Sequence, residues 1–576
     1  MKYFQPILNA LGAILRWLRR SPNALGWVWF GAVVLMLLCI QLGYHESLVP
    51  QTPSNVMELP RDWLPPPDGT YVFLYLLSYL RLAILIGGVV YHAYIIRACP
   101  DVHKMLRPTW VASAVLTFWA LASNFYDRWE QGRVGVIGEE ISNIAFAIQI
   151  ILMVGLLMSP PVMLLYYLRC RIMERYALRN LLQPLLFCFI AFVTLWIVMD
   201  LKDHLDNFRD NNIGSSEILM FYIKLLPTIY VTVAPVTLLL ATLYSLGKMS
   251  RANEIISMLG AGRSLGQVLR PFFIVGIYVS FLGMVANYYW APMAEGNKKK
   301  LLEDVKEHMK QDILVMGLVY RNNEEHRTWY VGVVPSDLRT DRMRHIEVRQ
   351  EDDKGHLVKA WFSRSVGWWP DNRVWTFTNG GEVTYENGVI VGMKSFEAEG
   401  GANRIDMTDW KETPWMLMSN SLSPEFLGVP QLITYLTANH SYGPVKLAPY
   451  FTHLYYRFAL PLQALVVVLV AAPLGVVFSR RGMLGGVAGS IFIFFTLLFI
   501  DHLFLNLGKG RHMPAILSVW MPHLILGSVG LYLYQLRSQN RDLPKYLIDW
   551  PAELERLKQL WQRLAQKKKR LAGAQN

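Results

Sequence analysis

The sequence predicts an α-helical multi-pass membrane protein of about ten spans, interrupted by one inserted all-β domain. Three observations predict it. Of the 576 residues, 53% are hydrophobic and only 17% are charged, well below the roughly 25% typical of soluble domains. Apolar runs able to cross the hydrocarbon recur ten times. One stretch, about 295–450, is instead polar and shows the two-residue alternation of strands.

The ten runs lie at about 25–43, 71–96, 109–125, 141–168, 182–200, 219–246, 271–291, 455–478, 483–507 and 514–536. A helix needs roughly 20 apolar residues to span a bilayer. Loop charge tests the count. Lys2, Arg16, Arg19 and Arg20 precede the first run, and acidic Glu46, Glu58, Asp62 and Asp68 follow it. Arg97, Lys104 and Arg107 come next, then Asp127, Glu130, Glu139 and Glu140. Arg169, Arg171, Arg175 and Arg179 then precede Asp200, Asp203, Asp206 and Asp210. Lys248, Arg251, Arg263 and Arg270 restore the basic side. This alternation places both termini in the cytoplasm and the polar stretch outside. The first run is followed by further spans, so it reads as an anchor.

Inside the polar stretch, Thr328–Val334, His356–Phe362, Val374–Thr378 and Glu382–Tyr385 read as strands. The turn signals are Asp371-Asn372, Asn379-Gly380-Gly381 and Asn387-Gly388. A small sandwich or jelly roll is expected, entered by a charged helix over Lys298–Gln311. In the tail, Leu554, Leu557, Leu560, Trp561 and Leu564 stand at helical spacing before Lys567–Arg570. This suits an amphipathic helix on the inner leaflet, or equally a solvated tail.

The net charge of +13 would suggest nucleic acid on a soluble protein. Here the basic residues flank apolar runs, so they read as topology signals and contacts to membrane lipids, and no nucleic-acid partner is expected. The four cysteines lie in or beside apolar segments and form neither a disulfide framework nor a metal spacing. Phosphate-loop, H-E-x-x-H and nucleophile-elbow motifs are missing. No catalytic residue, metal or cofactor is therefore expected on this chain, and energy for any transport must come from another chain or an ion gradient.

The segment Lys248–Pro271 is the most informative. It is helical by pattern, with Ile255, Ile256 and Leu259 on one face, Ser250 available as a cap, and a Gly260-Ala261-Gly262 stop. Such a helix suits a plug for a groove on a soluble motor subunit. An ordinary interfacial loop helix has the same pattern.

This segment, with its Ser-Arg-x-x-Glu start, Ser264 and Pro271, resembles the coupling helix of the LptF/LptG lipopolysaccharide-export permeases. Leu226-Pro227, Ala234-Pro235 and Leu240–Leu243 are similar to that family's second core helix, and Val198–Asp206 to the end of its first. Trp329–Gly332, His345–Val348, Lys359-Ala360, Trp368-Trp369 and Asn372–Trp375 resemble its periplasmic domain. Arg457–Leu462, Ala472–Gly475 and Arg480–Gly482 resemble its fourth core helix, and Trp520-Met521-Pro522 the start of its last. His523 departs from the Asn usual there. The resemblance covers about 180–540, roughly two-thirds of the chain.

The resemblance implies a six-span ABC-type export permease core in a bacterial inner membrane, with a periplasmic jelly-roll-like domain. It implies a second permease subunit, a cytoplasmic ABC ATPase dimer carrying ATP and Mg, and a periplasmic LptC/LptA-like β-jelly-roll protein. The substrate implied is lipopolysaccharide or a similar amphiphilic glycolipid. The expected layout is 1–180 as an extra four-span region, 181–294 as core spans with the coupling helix at 248–263, 295–450 as β-domain, 451–540 as further core spans, and 541–576 as tail. The extra region departs from the family pattern.

Residue roles follow from the resemblance. Arg251, Glu254, Ile255, Leu259 and Arg263 are expected at the ATPase contact. Lys202 and Lys224 suit lipid phosphate as point charges, or snorkel as interface markers. Asp501 and His502 lie late in an apolar run, facing a cavity or outer water, with Lys509 and Arg511 beyond them near headgroups. Trp361, Phe362, Trp375 and Phe377 divide between β-core and a lipid groove in a way the sequence leaves open. The rival reading is a membrane scaffold or sensor with a ligand-binding β-domain; its cytoplasmic segments are short for an output module.

Overall fold

A computed structural model describes residues 69–99, 101–134, 142–210, 214–296, 298, 315–334, 342–369, 373–386, 388–396, 403–419, 423–476 and 483–539. The expected span at 25–43, the Asp371-Asn372 turn, most of the charged helix and the tail lie outside these residues. The first helices are α1 (Gly69–Ala98), α2 (Val102–Val134) and α3 (Asn143–Arg169). Then come α4 (Ile172–Asp210), α5 (Ser215–Arg251), the short α6 (Glu254–Gly260) and α7 (Leu265–Tyr288). Seven strands follow, and after them α8 (Pro414–Ser419), α9 (Val429–Ala438), α10 (Pro444–Ala459), α11 (Gln463–Gly475), α12 (Met483–Lys509) and α13 (Ala515–Ser538).

Among the described residues, seven helical stretches are long and apolar enough to cross a membrane: Val102–Tyr126, Asn143–Arg169, Ile172–Arg209, Ser215–Arg251, Leu265–Tyr288, Pro444–Gly475 and Ala515–Ser538. The expected runs at 71–96 and 483–507 fall on α1 and α12. The chain forms two compact units.

One unit comprises the described residues of 169–198, 229–284 and 458–539. It holds an apolar cluster: Leu239 and Leu243 of α5 pack with Val466, Val467 and Ala471 of α11, Phe494 and Leu497 of α12, and Leu526 of α13. Gly530 lets α13 close on α11, since a Cβ there would lie 2.9 Å from the Leu469 carbonyl carbon. The Leu465 amide sits where Pro461 disturbs the helix, and it donates to Ser280 Oγ of α7 at 3.0 Å.

The other unit comprises the described residues of 69–168, 199–228 and 285–457. It holds the strands β1 (Val315–Asn322), β2 (Arg327–Val334), β3 (Met343–Glu351), β4 (Leu357–Trp369), β5 (Val374–Glu386), β6 (Val389–Ser395) and β7 (Arg404–Met407). β1 to β6 pair antiparallel in chain order, and β7 also pairs with β5. This is a meander, without a Greek-key crossover among the described strands. The sheet is strongly curled. β2 and β5 stand three spacings apart, roughly 14 Å in a flat sheet, yet the Trp329 and Trp375 rings meet at 5.0 Å. Trp410 closes the interior against Trp329, Trp361 and Phe377.

Two expectations are corrected here. Asn379-Gly380-Gly381 is no turn but the middle of β5. The glycines serve close approach: a Cβ on Gly380 would lie 1.9 Å from the Phe362 carbonyl oxygen of β4, and one on Gly381 2.7 Å from that of Lys394 in β6. The second correction concerns the end of the polar stretch. Residues from Pro414 are helical rather than β, because Val429, Leu432, Tyr435 and Leu436 bury a helical face. Tyr435 stacks on Tyr450 at 3.8 Å, and the Tyr442 hydroxyl donates to the Arg321 carbonyl of β1 at 2.8 Å. The sheet is thereby fastened to α9 and α10. Burial pushes the Tyr442 phenol up to about 12, with the neighbouring Tyr450 adding to the rise.

Candidate functional site

The segment joining α5 to α7 carries the strongest functional signal, and its geometry follows from three local devices. α5 continues through Lys248–Arg251 and stops where Asn253 takes φ +55°, a left-handed conformation that Asn tolerates better than most residues. α6 is one short helix. Gly262 at φ +83° ends it, and Ser264 caps α7 by accepting the Gln267 amide at 3.3 Å. The helix is therefore Glu254–Gly260 rather than the whole of 248–263. Ser250 does not cap it: its side chain is buried and donates to the Gly475 carbonyl at 3.4 Å.

α6 presents two faces. Ile255 and Met258 are buried, and Leu259 and Glu254 are half-buried. Ile256 is 44% exposed, so it leaves the apolar face on which the sequence placed it with Ile255. Arg251 is exposed, and Arg263 is half-buried with Nη1 3.5 Å from Gln267 Oε1. Glu254 Oε1 accepts the Tyr176 hydroxyl at 2.9 Å, from α4. Its other oxygen is shielded from solvent and has no hydrogen-bond partner among the described residues. A carboxylate oxygen buried without a donor carries a desolvation cost. A shallow recess of about 10 Å³ in the same unit is lined by Met173, Glu174, Ala177, Met258, Arg263, Gln267 and Val268. Sequence reasoning missed Tyr176, which stands 78 positions from its partner.

The residues expected at lipid headgroups scatter. Lys202 is exposed and Lys224 half-buried. The same helix ends carry a cluster the sequence did not signal: Asp200 ion-pairs with Lys298, accepts the Tyr222 hydroxyl at 3.2 Å, and lies 3.8 Å from His204 Nε2. Asp501 and His502 separate. Asp501 is buried and 3.9 Å from His523 Nδ1 of α13, whereas His502 is exposed. Lys509 is half-buried and Arg511 exposed.

The four β-domain aromatics also divide. Trp361, Trp375 and Phe377 belong to the sealed core, and Phe362, one residue out of phase, is 37% exposed. The core includes a polar lock that sequence reasoning missed. Arg327 grips Glu412 through two hydrogen bonds of 2.8 and 3.0 Å, Asn322 donates to the same carboxylate, and the Trp375 indole donates to the Glu412 carbonyl. β6 lies at an edge of the sheet, with Val389, Ile390, Val391 and Met393 all 59–78% exposed.

The comparison with known families falls on this architecture. The family model described as lipopolysaccharide export system permease LptF/LptG matches residues 175–536. The match begins just inside α4, includes α6 and the sheet, and ends within α13; α1 to α3 precede it. No curated protein matches the chain.

Proposed function

Because the chain belongs to the LptF/LptG family of lipopolysaccharide export permeases, we propose that it is the membrane subunit of an ABC transporter moving lipopolysaccharide, or a similar glycolipid, out of the inner membrane. α6 is the point of coupling and faces the cytoplasm. A separate ABC ATPase dimer, which holds ATP and Mg, docks there, and its closure on ATP shifts the permease between two states by its differential affinity for them. A second permease subunit completes the cavity.

The observation that carries this reading is the short, bent-off α6 itself, with Ile256 and the neighbouring Arg251 turned outward. Tyr176 holds the Glu254 carboxylate in place, beside an exposed Ile256. A fixed charge on a helix edge sets register on a partner. Lys202 and Lys224, with Lys509 and Arg511, supply cations for lipid phosphates. The exposed edge β6 suits strand addition by a periplasmic LptC/LptA-like protein. An acyl path along Trp361, Trp375 and Phe377 requires the sheet to open, since Trp329 and Trp410 cover them.

Co-purification tests the coupling. The full chain is expected to bring its ATPase with it, and Glu254→Ala to weaken that association. An unchanged ATPase yield from a chain lacking residues 254–263 removes the proposal. Depletion in cells is expected to lower surface glycolipid.

A further inference from the structure

Two ionisable side chains are buried together where α12 meets α13, and the coupling role uses neither. Asp501 stands eight residues before Lys509, the end of α12, and His523 eight residues after Ala515, the start of α13. The hairpin of the two helices therefore brings them to one level, roughly 12 Å inside the helix ends. The carboxylate Oδ1 lies 3.9 Å from the imidazole Nδ1, and each side chain is only 4% exposed. Ionisable groups among apolar helices are costly and rarely idle. The other titratable groups on the helices packed here stand elsewhere. α11 closes on α13 at Gly530 and has no titratable side chain over Gln463–Gly475. On α12, His502 is exposed and Lys509 ends the helix, and the loop residues Arg511 and His512 are exposed. α5, which shares the apolar cluster, carries Tyr230 and Tyr244 before Lys248 and Arg251 at its end; Tyr230 donates to the Val279 carbonyl at 3.0 Å and Tyr244 is 60% exposed. α7 meets α13 at Tyr534, toward the opposite end of α13, where Tyr532 and Arg537 also lie; its Arg270 is exposed and its Tyr278 half-buried.

The two imidazole nitrogens have different surroundings. Nδ1 lies 3.3 Å from the Val519 carbonyl, one turn earlier. A carbonyl only accepts, so Nδ1 carries the hydrogen and donates it. Nε2 is then the atom with the lone pair. It is buried and has no hydrogen-bond partner among the described residues. We propose that Asp501 and His523 form a buried proton-binding site between α12 and α13. Nε2 takes one proton from water, and the resulting imidazolium balances the Asp501 carboxylate and draws α12 onto α13. When the proton leaves, the neutral imidazole offers that carboxylate no compensating charge, in surroundings where ions are expensive. The helices otherwise meet through apolar side chains such as Phe494, Leu497 and Leu526. The site thus adds to this packing one contact whose strength depends on pH. It requires neither a motor subunit nor a lipid, so it stands or falls apart from the transport role.

Magnetic resonance of the full chain in nanodiscs, with its histidines labelled with nitrogen-15, reads the site directly. The imidazole signals that vanish in His523→Asn belong to His523. The Asn amide can still donate to the Val519 carbonyl but binds no proton, and His523→Gln serves for the assignment if His523→Asn does not fold. The His523 signals are expected to pass from neutral to protonated values as the pH falls from about 8 to about 4. Asp501→Asn removes the balancing charge and is expected to displace that transition by about one pH unit or more. Signals that stay constant over the whole range overturn the proton site, and an unchanged transition in Asp501→Asn overturns the pairing. Thermal unfolding reads the effect on packing. The difference in melting temperature between the parent and the His523 variant is expected to change over the same range, since the other histidines are common to both. A constant difference overturns the drawing of α12 onto α13.

Discussion

Glu412 beneath the curled sheet and Glu254 of α6 are satisfied to different degrees. In the sheet, Glu412 is fully buried, yet Arg327 and Asn322 satisfy its carboxylate and the Trp375 indole takes its carbonyl. Arg327 in turn lies 4.8 Å over the Trp410 ring. In α6, Glu254 has one oxygen satisfied and the other idle, next to an exposed isoleucine and a left-handed Asn253. The Glu412 carboxylate completes its hydrogen bonds within the chain, although the Trp329, Trp368 and Trp369 indole N–H groups are buried without a partner among the described residues. The short helix leaves one carboxylate oxygen shielded and without a partner among the described residues. Mutations should therefore act on stability in the first region and on association in the second.

The largest effect is expected from Glu412→Ala. It strands the Arg327 guanidinium in a sealed interior and should cost about 3–5 kcal/mol, read by thermal unfolding of the purified protein followed by tryptophan fluorescence. A loss below about 1 kcal/mol would mean that water reaches the pair and would break the contrast. Trp375→Ala should cost a similar 3–5 kcal/mol, whereas Phe362→Ala, on the outer face, should stay below about 1 kcal/mol. Equal costs would show that the sheet has no distinct inside.

Alkali sharpens the comparison at the base of the sheet. The folded state holds the Tyr442 proton up to about 12, against an ordinary value of 10.0, so between these values it binds more protons than the unfolded chain. Its contribution to stability is complete below pH 10 and is lost as the pH rises toward 12. Burial raises Tyr320 and Tyr435 in the same direction. A pH series of melting temperatures should fall over this window, and Tyr442→Phe should flatten the fall. The smallest stability change is expected at the other region. Ile256→Glu should alter stability by no more than about 0.5 kcal/mol while reducing ATPase affinity tenfold or more, measured by titration of the ATPase onto nanodisc-held protein.

Long helices were legible because a lipid-facing backbone must satisfy its hydrogen bonds within its own segment, which makes spanning helices a local property of apolar runs. The stop at Gly262 was legible for a similar reason, since a left-handed residue is a local requirement. Glycine is less informative where it serves contact. The pair Gly380-Gly381 has the composition of a turn, yet it lies within a strand because two neighbouring backbones crowd it from either side. Only pairing of distant segments reveals that.

By itself, then, the sequence determined the apolar segments, the polar insertion between α7 and α11, the helical stop at Gly260-Ala261-Gly262 and the family. Tertiary structure decided the partners. It turned Asp501 onto His523 and left His502 outside, set Trp361 in the core and its neighbour Phe362 on the surface, and brought Tyr176 to Glu254. Backbone hydrogen bonds in helices are made within four residues and can be read along the chain. A side chain's partner depends on where another element passes, and no local pattern records that.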